Sequence, residues 1–541
     1  MIYIDPPYNT GNDFIYKDNF KNSVDSYLEL TGQKDGEGNK FTTNTESNGR
    51  YHTDWLNMMY PRLKLARNLL TDDGVIFISI DDGEADNLRK MCNEVFGESN
   101  FVADLCVVNN VKGRNDKKYI ARANERLLMY VKSLDFDEHG LELDDKILSE
   151  YNLNDNFGKY RLLELRKRGG PDTRKDRPKM YYPFYVNPET GDISLERSNY
   201  FSIEALPVKS NGDDGRWRWG RETASKKIEQ LFGKQVGNKY NIYEKNYLES
   251  EDGARRVRPK SVLSGAAYST DVATKEYRAL MGKLDFTNPK PVALLSDLII
   301  YATAPNENAT ILDFFSGSAT TAHGVFYANS IDNGNRKFIM VQLPEILDEE
   351  SEACKEGYRS ICDIGEERIR RAGQKVKNDL IEKNNKEGML SDNQANPDDL
   401  DIGFKIFRLD SSNLTEWQVN FDELESNIDL FESNVLKERS ELDILFEIML
   451  KNGLDLTYPV TEIIEDSCKI YDIAVGNLFV CLNDNINRDV ARKIAALRKE
   501  YGIETSQVVF KDSGFQNDTE KLNCYEILKE AGYQDSDLLS I

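Results

Sequence analysis

The residues best suited to chemistry stand at the start of the chain, where Asp5-Pro6-Pro7-Tyr8 follow the β-prone run Ile2-Tyr3-Ile4. Two successive prolines fix φ and remove two backbone donors, so they end a strand and hold the next groups rigid. A turn that merely caps a strand is the plain reading. The chemical reading is transfer to an exocyclic amine, whose nitrogen is a poor nucleophile because its lone pair is delocalised into a ring. A carboxylate (Asp5) and a backbone carbonyl (Pro6) that accept both of its N–H bonds draw that lone pair out of conjugation. Tyr8 adds a flat face on which an extruded base can stack. Pro6 and Pro7 preorganise the acceptors.

A second candidate is Leu312–Thr321, LDFFSGSATT, a strand running into a loop of small residues that opens a helix. In doubly wound folds a nucleotide-like cofactor lies there, outside the carboxyl ends of the strands. Asp313, Phe315, Gly317, Ser318 and Thr320 are the candidate contacts. The loop has one glycine and no GK[ST], so it suits a phosphate cradle, and hence ATP, poorly. A tight strand–helix turn remains its plain alternative. Glu345, after the next strand, is placed to hold a ribose diol; it lies 28 residues beyond Gly317, where about 20 is usual, and the loop Asn329–Arg336 absorbs the excess.

The third set is basic and aromatic: Arg166-Lys167-Arg168, Arg174–Lys179, Arg216-Trp217-Arg218-Trp219 with Arg221, and Arg255-Arg256-Val257-Arg258. Basic side chains contact phosphates and read guanine edges, and aromatics wedge or stack; a solvated basic face is the alternative. Net charge, −23 over 541 residues, argues against a nucleic-acid partner until its distribution is considered. Residues 391–541 hold 14 basic against 31 acidic residues, whereas Lys159–Lys179 holds nine basic against three acidic. A polyanion is therefore expected in the middle of the chain and not at its end.

Elements that would position these groups can be read from hydrophobic period. Residues 55–70 have helical spacing around Pro61, Val75–Ile80 is a β-branched strand and Glu84–Phe96 the helix after it. Residues 136–260 show short elements and little helical period. Lys275–Gly282 and Pro291–Ala302 read as helices, Thr310–Phe314 as a strand, Thr320–Asn329 as a helix and Phe338–Leu343 as a strand, with helix again from Ser351 to about Lys383. Such alternation predicts a parallel sheet with helices on its faces. The expected domains are 1–135 and 261–381 as two halves of one α/β domain, 136–260 inserted between them, a linker at 382–401 and an acidic α/β domain at 402–541. Seven scattered cysteines without a CxxC and three histidines give no zinc pattern, so reduced thiols and no metal are expected. Met1 leads into IYIDPPYN without a basic or apolar leader, and the longest apolar stretch is broken by Ser296 and Asp297. No signal peptide or membrane span is expected, which places the chain in the cytoplasm.

These motifs resemble the β-class amino-methyltransferases of DNA. More narrowly, Tyr3–Gly11 (YIDPPYNTG), Gly74–Asp82 (GVIFISIDD), Asn288–Val292 (NPKPV), Asp313–His323 (DFFSGSATTAH), Lys337–Glu345 (KFIMVQLPE) and Val508–Asn523 (VVFKDSGFQNDTEKLN) are similar to the modification (Mod) subunit of type III restriction–modification systems. The resemblance spans essentially the whole chain. It implies a Rossmann-like doubly wound sheet with circularly permuted motif order, an inserted target-recognition module and a C-terminal α/β domain. It also implies S-adenosylmethionine as cofactor, lying against Phe315, Gly317 and Ser318 with Glu345 on its ribose. Lys290, within NPKPV, falls in the motif that packs beside the methionine moiety. Asp5, Pro6, Pro7 and Tyr8 match the motif that binds a flipped adenine, and Asp before Pro-Pro-Tyr is the family's usual mark of N6-adenine over N4-cytosine. The implied partners are double-stranded DNA, a second Mod copy and a restriction (Res) subunit. Family members carry a segment ahead of the catalytic strand, with an acidic-Asn-Leu motif, whereas Met1 stands four residues before Asp5. Two readings therefore stand: an adenine-N6 methyltransferase, or a truncated non-catalytic scaffold that binds DNA and a restriction partner.

Overall fold

In a computed structural model, the residues described are 1–10, 51–113, 118–250, 253–305 apart from 283 and 285, 308–387, 395–414, 436 and 439–541. The chain divides into two compact units, Met1–Gly403 and Phe404–Ile541.

The first unit is built on a seven-stranded sheet. Its strands are β1 (Ile2–Ile4), β2 (Val75–Ile80), β3 (Phe101–Val107), β4 (Glu125–Val131), β5 (Val262–Leu263), β6 (Thr310–Asp313) and β7 (Lys337–Met340), ordered β5-β3-β4-β2-β1-β6-β7. β4 alone runs against its neighbours; every other pairing in this sheet is parallel. The strand β2, VIFISI, is buried along its whole length, as a strand covered on both faces must be. Ile76, Ile78 and Ile80 pack under helices α1 (Tyr51–Leu69) and α2 (Ala85–Phe96) with Trp55, Met59 and Leu88. Val75 and Phe77 point the other way, with Tyr3, to a core that includes Leu294, Leu295 and Leu298. Those leucines belong to α4 (Val292–Ala302), which follows α3 (Thr270–Met281). Helix α5 (Thr320–Asp332) continues from β6, and α6 (Ile361–Glu387) packs against it.

Several boundaries differ from those expected. The helix anticipated from Ser351 to Lys383 is broken in two, Glu352–Lys355 and α6, because Gly357 turns the chain at φ +102°. Helix α6 runs to Glu387, six residues into the segment read as a linker. Strand β7 stops at Met340 instead of Leu343; Val341 still donates to the Asp313 carbonyl (2.8 Å), but Pro344 has no N–H with which to continue a ladder. Pro61 lies within α1 without ending it.

Residues between β4 and β5 form sheets of their own. Leu231–Val236, Lys239–Tyr247, Gly158–Glu164 and Leu153–Asp155 make an antiparallel four-stranded sheet, and Ile193–Ser194, Phe184–Val186 and Ile203–Ala205 a three-stranded one. Their core holds Leu165, Tyr182, Phe184, Trp217, Leu231 and Ile242.

The second unit has five strands in sequential order, β8 (Val460–Glu465), β9 (Cys468–Ile473), β10 (Leu478–Cys481), β11 (Gln507–Phe510) and β12 (Leu538–Ser540), the last three parallel. Alternation again decides the faces: Ile470, Phe479 and Val508 pack under α8 (Arg488–Tyr501) and α9 (Asp518–Glu530), while Ile473, Val480 and Val509 pack under α7 (Glu441–Lys451). Among the described residues no helix is long and apolar enough to cross a membrane.

Candidate active site

Three loops leave the carboxyl ends of adjacent parallel strands, the place where open α/β sheets bind ligands. They follow β1, β6 and β7. Ile2 pairs with Leu312, and the Leu312 N–H donates to the Met1 carbonyl (3.0 Å), so the loops that open at Asp5 and Phe314 leave neighbouring strands. Residues 310 positions apart in sequence thus share one edge.

The loop after β1 is held from behind. Trp55, fully buried on α1, donates its indole N–H to the Pro7 carbonyl (2.7 Å). Asn9, in the left-handed region at φ 54°, donates to Glu84 Oε1 (2.6 Å), and Glu84 also bonds His52 and Asn87. Side chains at the front converge on Asp5. Its Oδ1 accepts from Tyr8 Oη (2.8 Å) and faces Lys290 Nζ (3.1 Å). Glu125 Oε2, at the first residue of β4, accepts from Lys290 Nζ (2.8 Å) and lies 3.0 Å from Tyr8 Oη, whose one proton goes to either carboxylate, and Lys290 also donates to Tyr8 Oη (2.6 Å). Among the described residues, Asp5 Oδ2 and the Pro6 carbonyl have no hydrogen-bond partner. Two acceptors remain for an incoming N–H₂ group.

Burial pushes the Asp5 carboxyl up from its ordinary range; Lys290 pulls against that and Glu125 adds to it. Burial would lower the Lys290 ammonium, but the two carboxylates beside it override burial and raise it. The Tyr8 phenol is held well above its usual range by burial and the same carboxylates, so it stays protonated.

The loop after β6 is fixed by its own side chains. Asp313 accepts from Phe315 N–H (3.1 Å) and Thr321 Oγ1 (2.5 Å), and burial raises its carboxyl to about 7. Gly317 adopts φ 50°, where a Cβ would stand 3.1 Å from the Phe286 ring, and its N–H donates to Gln342 (2.8 Å). Arg368 on α6, almost fully buried, donates to Ser318 Oγ (2.7 Å) and Thr320 Oγ1 (2.5 Å). Burial brings its guanidinium down to about 10, and burial with the Arg368 charge holds His323 neutral, at about 3. Phe315 is half-buried against Phe314, and Glu345 is exposed beyond β7.

The structure thus brings Asp5, Pro6, Pro7 and Tyr8 together with Phe315 and Gly317 at one edge. It places Lys290, expected beside the methionine moiety of the cofactor, against Asp5, Tyr8 and Glu125. Asp313, Ser318 and Thr320 spend their side chains on the loop and on Arg368. Glu125, Glu84 and Arg368 were missed. The one signal for Glu125 is a carboxylate directly before an apolar strand, Glu125–Val131; Arg368 gave none, because a basic residue in a charged helix looks solvated.

In the basic region two assignments are corrected. Trp217 is 2% exposed, donates its indole N–H to the Tyr182 carbonyl (2.7 Å) and meets Phe184 edge-on, so it is a core residue and not a DNA contact. Arg216 is buried too, its Nε donating to the Pro171 carbonyl (2.6 Å). A bridge between Arg166 and Trp217 extends the backbone here, and the Trp217 ring packs into a core with Leu165, Val186, Leu231 and Ile242. Arg166 and Arg168 pair with Glu164, Arg174 with Asp214 and Arg218 with Glu244. Arg168, Arg174 and Arg221 are exposed; Lys167 and Trp219 are half-buried.

A family model for DNA methylases of the N6 and N4 class matches residues 1–345. The chain belongs to this DNA methylase family. It is 36% identical over 415 residues to the Mod subunit of the EcoPI type III restriction–modification enzyme of Escherichia phage P1, covering 75% of this chain and 61% of that protein. It is 36% identical over 365 residues to the type II methyltransferase M.KpnI of Klebsiella pneumoniae (67% of this chain, 80% of that one). With the EcoP15I Mod subunit of Escherichia coli the identity is 28% over 570 residues, 98% of this chain and 79% of the relative. The chain spans less than two thirds of the EcoPI subunit's length. The matched residues contain the whole edge just described.

Proposed function

We propose that this DNA methylase transfers a methyl group from S-adenosylmethionine to N6 of an adenine extruded from duplex DNA, as the modification subunit of a type III restriction–modification system. The observation that carries the reading is the pair of unpartnered acceptors, Asp5 Oδ2 and the Pro6 carbonyl, on a loop locked by Trp55 and Glu84. A loop turning at Gly317 without a side chain, a half-buried Phe315 ring and the exposed carboxylate of Glu345 fit an adenosyl group with a ribose diol. When bound, S-adenosylmethionine supplies the electrophilic methyl carbon.

The chain's own residues prepare the nucleophile. Asp5 and the Pro6 carbonyl accept the two N–H bonds and localise the lone pair on nitrogen. The Tyr8 ring supports the base outside the helix. No covalent enzyme intermediate is needed, and the amine loses its extra proton to water after transfer. In this reading the sheet carries its catalytic half before its cofactor half, a permuted order, and residues 136–260 read the DNA sequence through exposed groups such as Arg168, Arg174 and Arg221. The two named Mod relatives are subunits of type III enzymes, which motivates a restriction subunit as partner and a second copy of this chain beside it. The test is methyl incorporation into unmethylated genomic DNA, followed by digestion to nucleosides. N6-methyl-2′-deoxyadenosine is expected; N4-methyl-2′-deoxycytidine would correct the substrate, and no methylated base would overturn the reading.

A further inference from the structure

Glu125 has no part in the chemistry above, yet its side chain is 8% exposed against 29% for Asp5, and one of its oxygens touches both groups that hold Asp5. Tyr8 Oη and Lys290 Nζ each reach Glu125 Oε2 on one side and Asp5 Oδ1 on the other. The four groups come from three separate parts of the fold: the loop after β1, the start of β4 and the loop before α4. Two carboxylates share one ammonium.

We propose that Glu125 is a positioning residue for methyl transfer: through Tyr8 and Lys290 it fixes Asp5 Oδ1, leaves Oδ2 to the amine, and keeps the corner one negative charge in excess. The inference rests on the methyltransferase reading of this site. As the amine nitrogen forms its fourth bond it turns cationic, until a proton leaves to water. A negative charge already in place, in a partly dry pocket, stabilises that developing charge without reorganisation. Lys290 alone would cancel Asp5 and remove this advantage; Glu125 restores it. The other ionisable groups facing Asp5 are Tyr3 on β1, whose phenol burial keeps protonated, and Asp313 on β6. Glu125 raises the Asp5 carboxyl and Lys290 lowers it, so removing each should move the acidic limb of the rate profile in opposite directions.

The experiment uses the full chain, radiolabelled S-adenosylmethionine and unmethylated genomic DNA, with kcat and KM measured against pH. Glu125→Gln is expected to lower kcat about tenfold or more while changing cofactor KM less than about twofold, and to move the acidic limb to lower pH. Lys290→Met should move that limb to higher pH, and Glu125→Asp should bring it back toward wild type. A merely structural Glu125 would lower the amount of folded enzyme and leave the limb where it was. Wild-type kcat or an unmoved limb in folded Glu125→Gln overturns the inference. If that variant does not fold by circular dichroism, Lys290→Met decides: an upward shift supports the shared corner and no shift overturns it. An active wild type with unchanged variants refutes this inference alone; a wild type that transfers no methyl group refutes the site reading with it.

Discussion

The edge of the large sheet and the segment between β4 and β5 are both rich in charge, but they use it differently. At the edge, Asp5, Tyr8, Glu125 and Lys290 share a handful of contacts and still leave an oxygen of Asp5 and a carbonyl open. In the other segment, Arg166, Arg168, Arg174 and Arg218 each meet an acidic partner, and the most conspicuous aromatic, Trp217, is sealed in the core. The prolines hold these two acceptors in place and turn them away from protein donors, which leaves them for solvent or an incoming donor. In the small sheets each of these charges has a partner and the indole has a carbonyl to donate to, so the same residue types become structural.

The contrast can be broken most decisively at Asp5. Asp5→Ala is expected to cut methyl transfer by about 10²–10³-fold or more while DNA binding, followed by gel shift, stays near wild type; retained activity would mean that the open acceptors are not the reacting ones. Trp217→Ala comes next. Its expected cost is about 3–5 kcal/mol of stability, seen as an early unfolding transition in denaturant. A fully stable variant that has lost only DNA affinity would show that Trp217 is a contact after all.

A pH series sharpens the picture of the loop after β6. The Asp313 carboxyl is raised to about 7, so the folded state holds its proton more tightly than the unfolded chain does. That stabilisation is complete below the ordinary carboxylate range and is lost as pH rises through about 7. The denaturation midpoint should accordingly fall between about pH 4 and about 7 in wild type and fall less in Asp313→Asn; parallel curves would refute it. The same logic makes methylation fail on acidification at a higher pH than a free carboxylate would give, because Asp5 is raised. The smallest effect is expected from Arg221→Ala, which should leave unfolding unchanged and lower the salt slope of DNA binding by about one. No change in slope would remove Arg221 from the interface.

What could be read directly from sequence was whatever the backbone chemistry leaves no choice about. Pro6-Pro7 after Ile2-Tyr3-Ile4 had to end a strand, VIFISI had to lie inside a covered sheet, and Gly317 had to permit a turn before α5. Those local facts were enough to single out Asp5, Pro6 and Tyr8 after a strand and Gly317 before a helix, and to anticipate alternating strands and helices. Side-chain partnerships were not legible, because they depend on register and crossing order. That Lys290 and Glu125 meet at Asp5 and Tyr8, that Trp217 points inward, and that Arg368 reaches Ser318 and Thr320 was decided only when distant parts of the chain were laid side by side. A run of sequence specifies its own φ and its own alternation, but a buried charge finds its partner across the sheet.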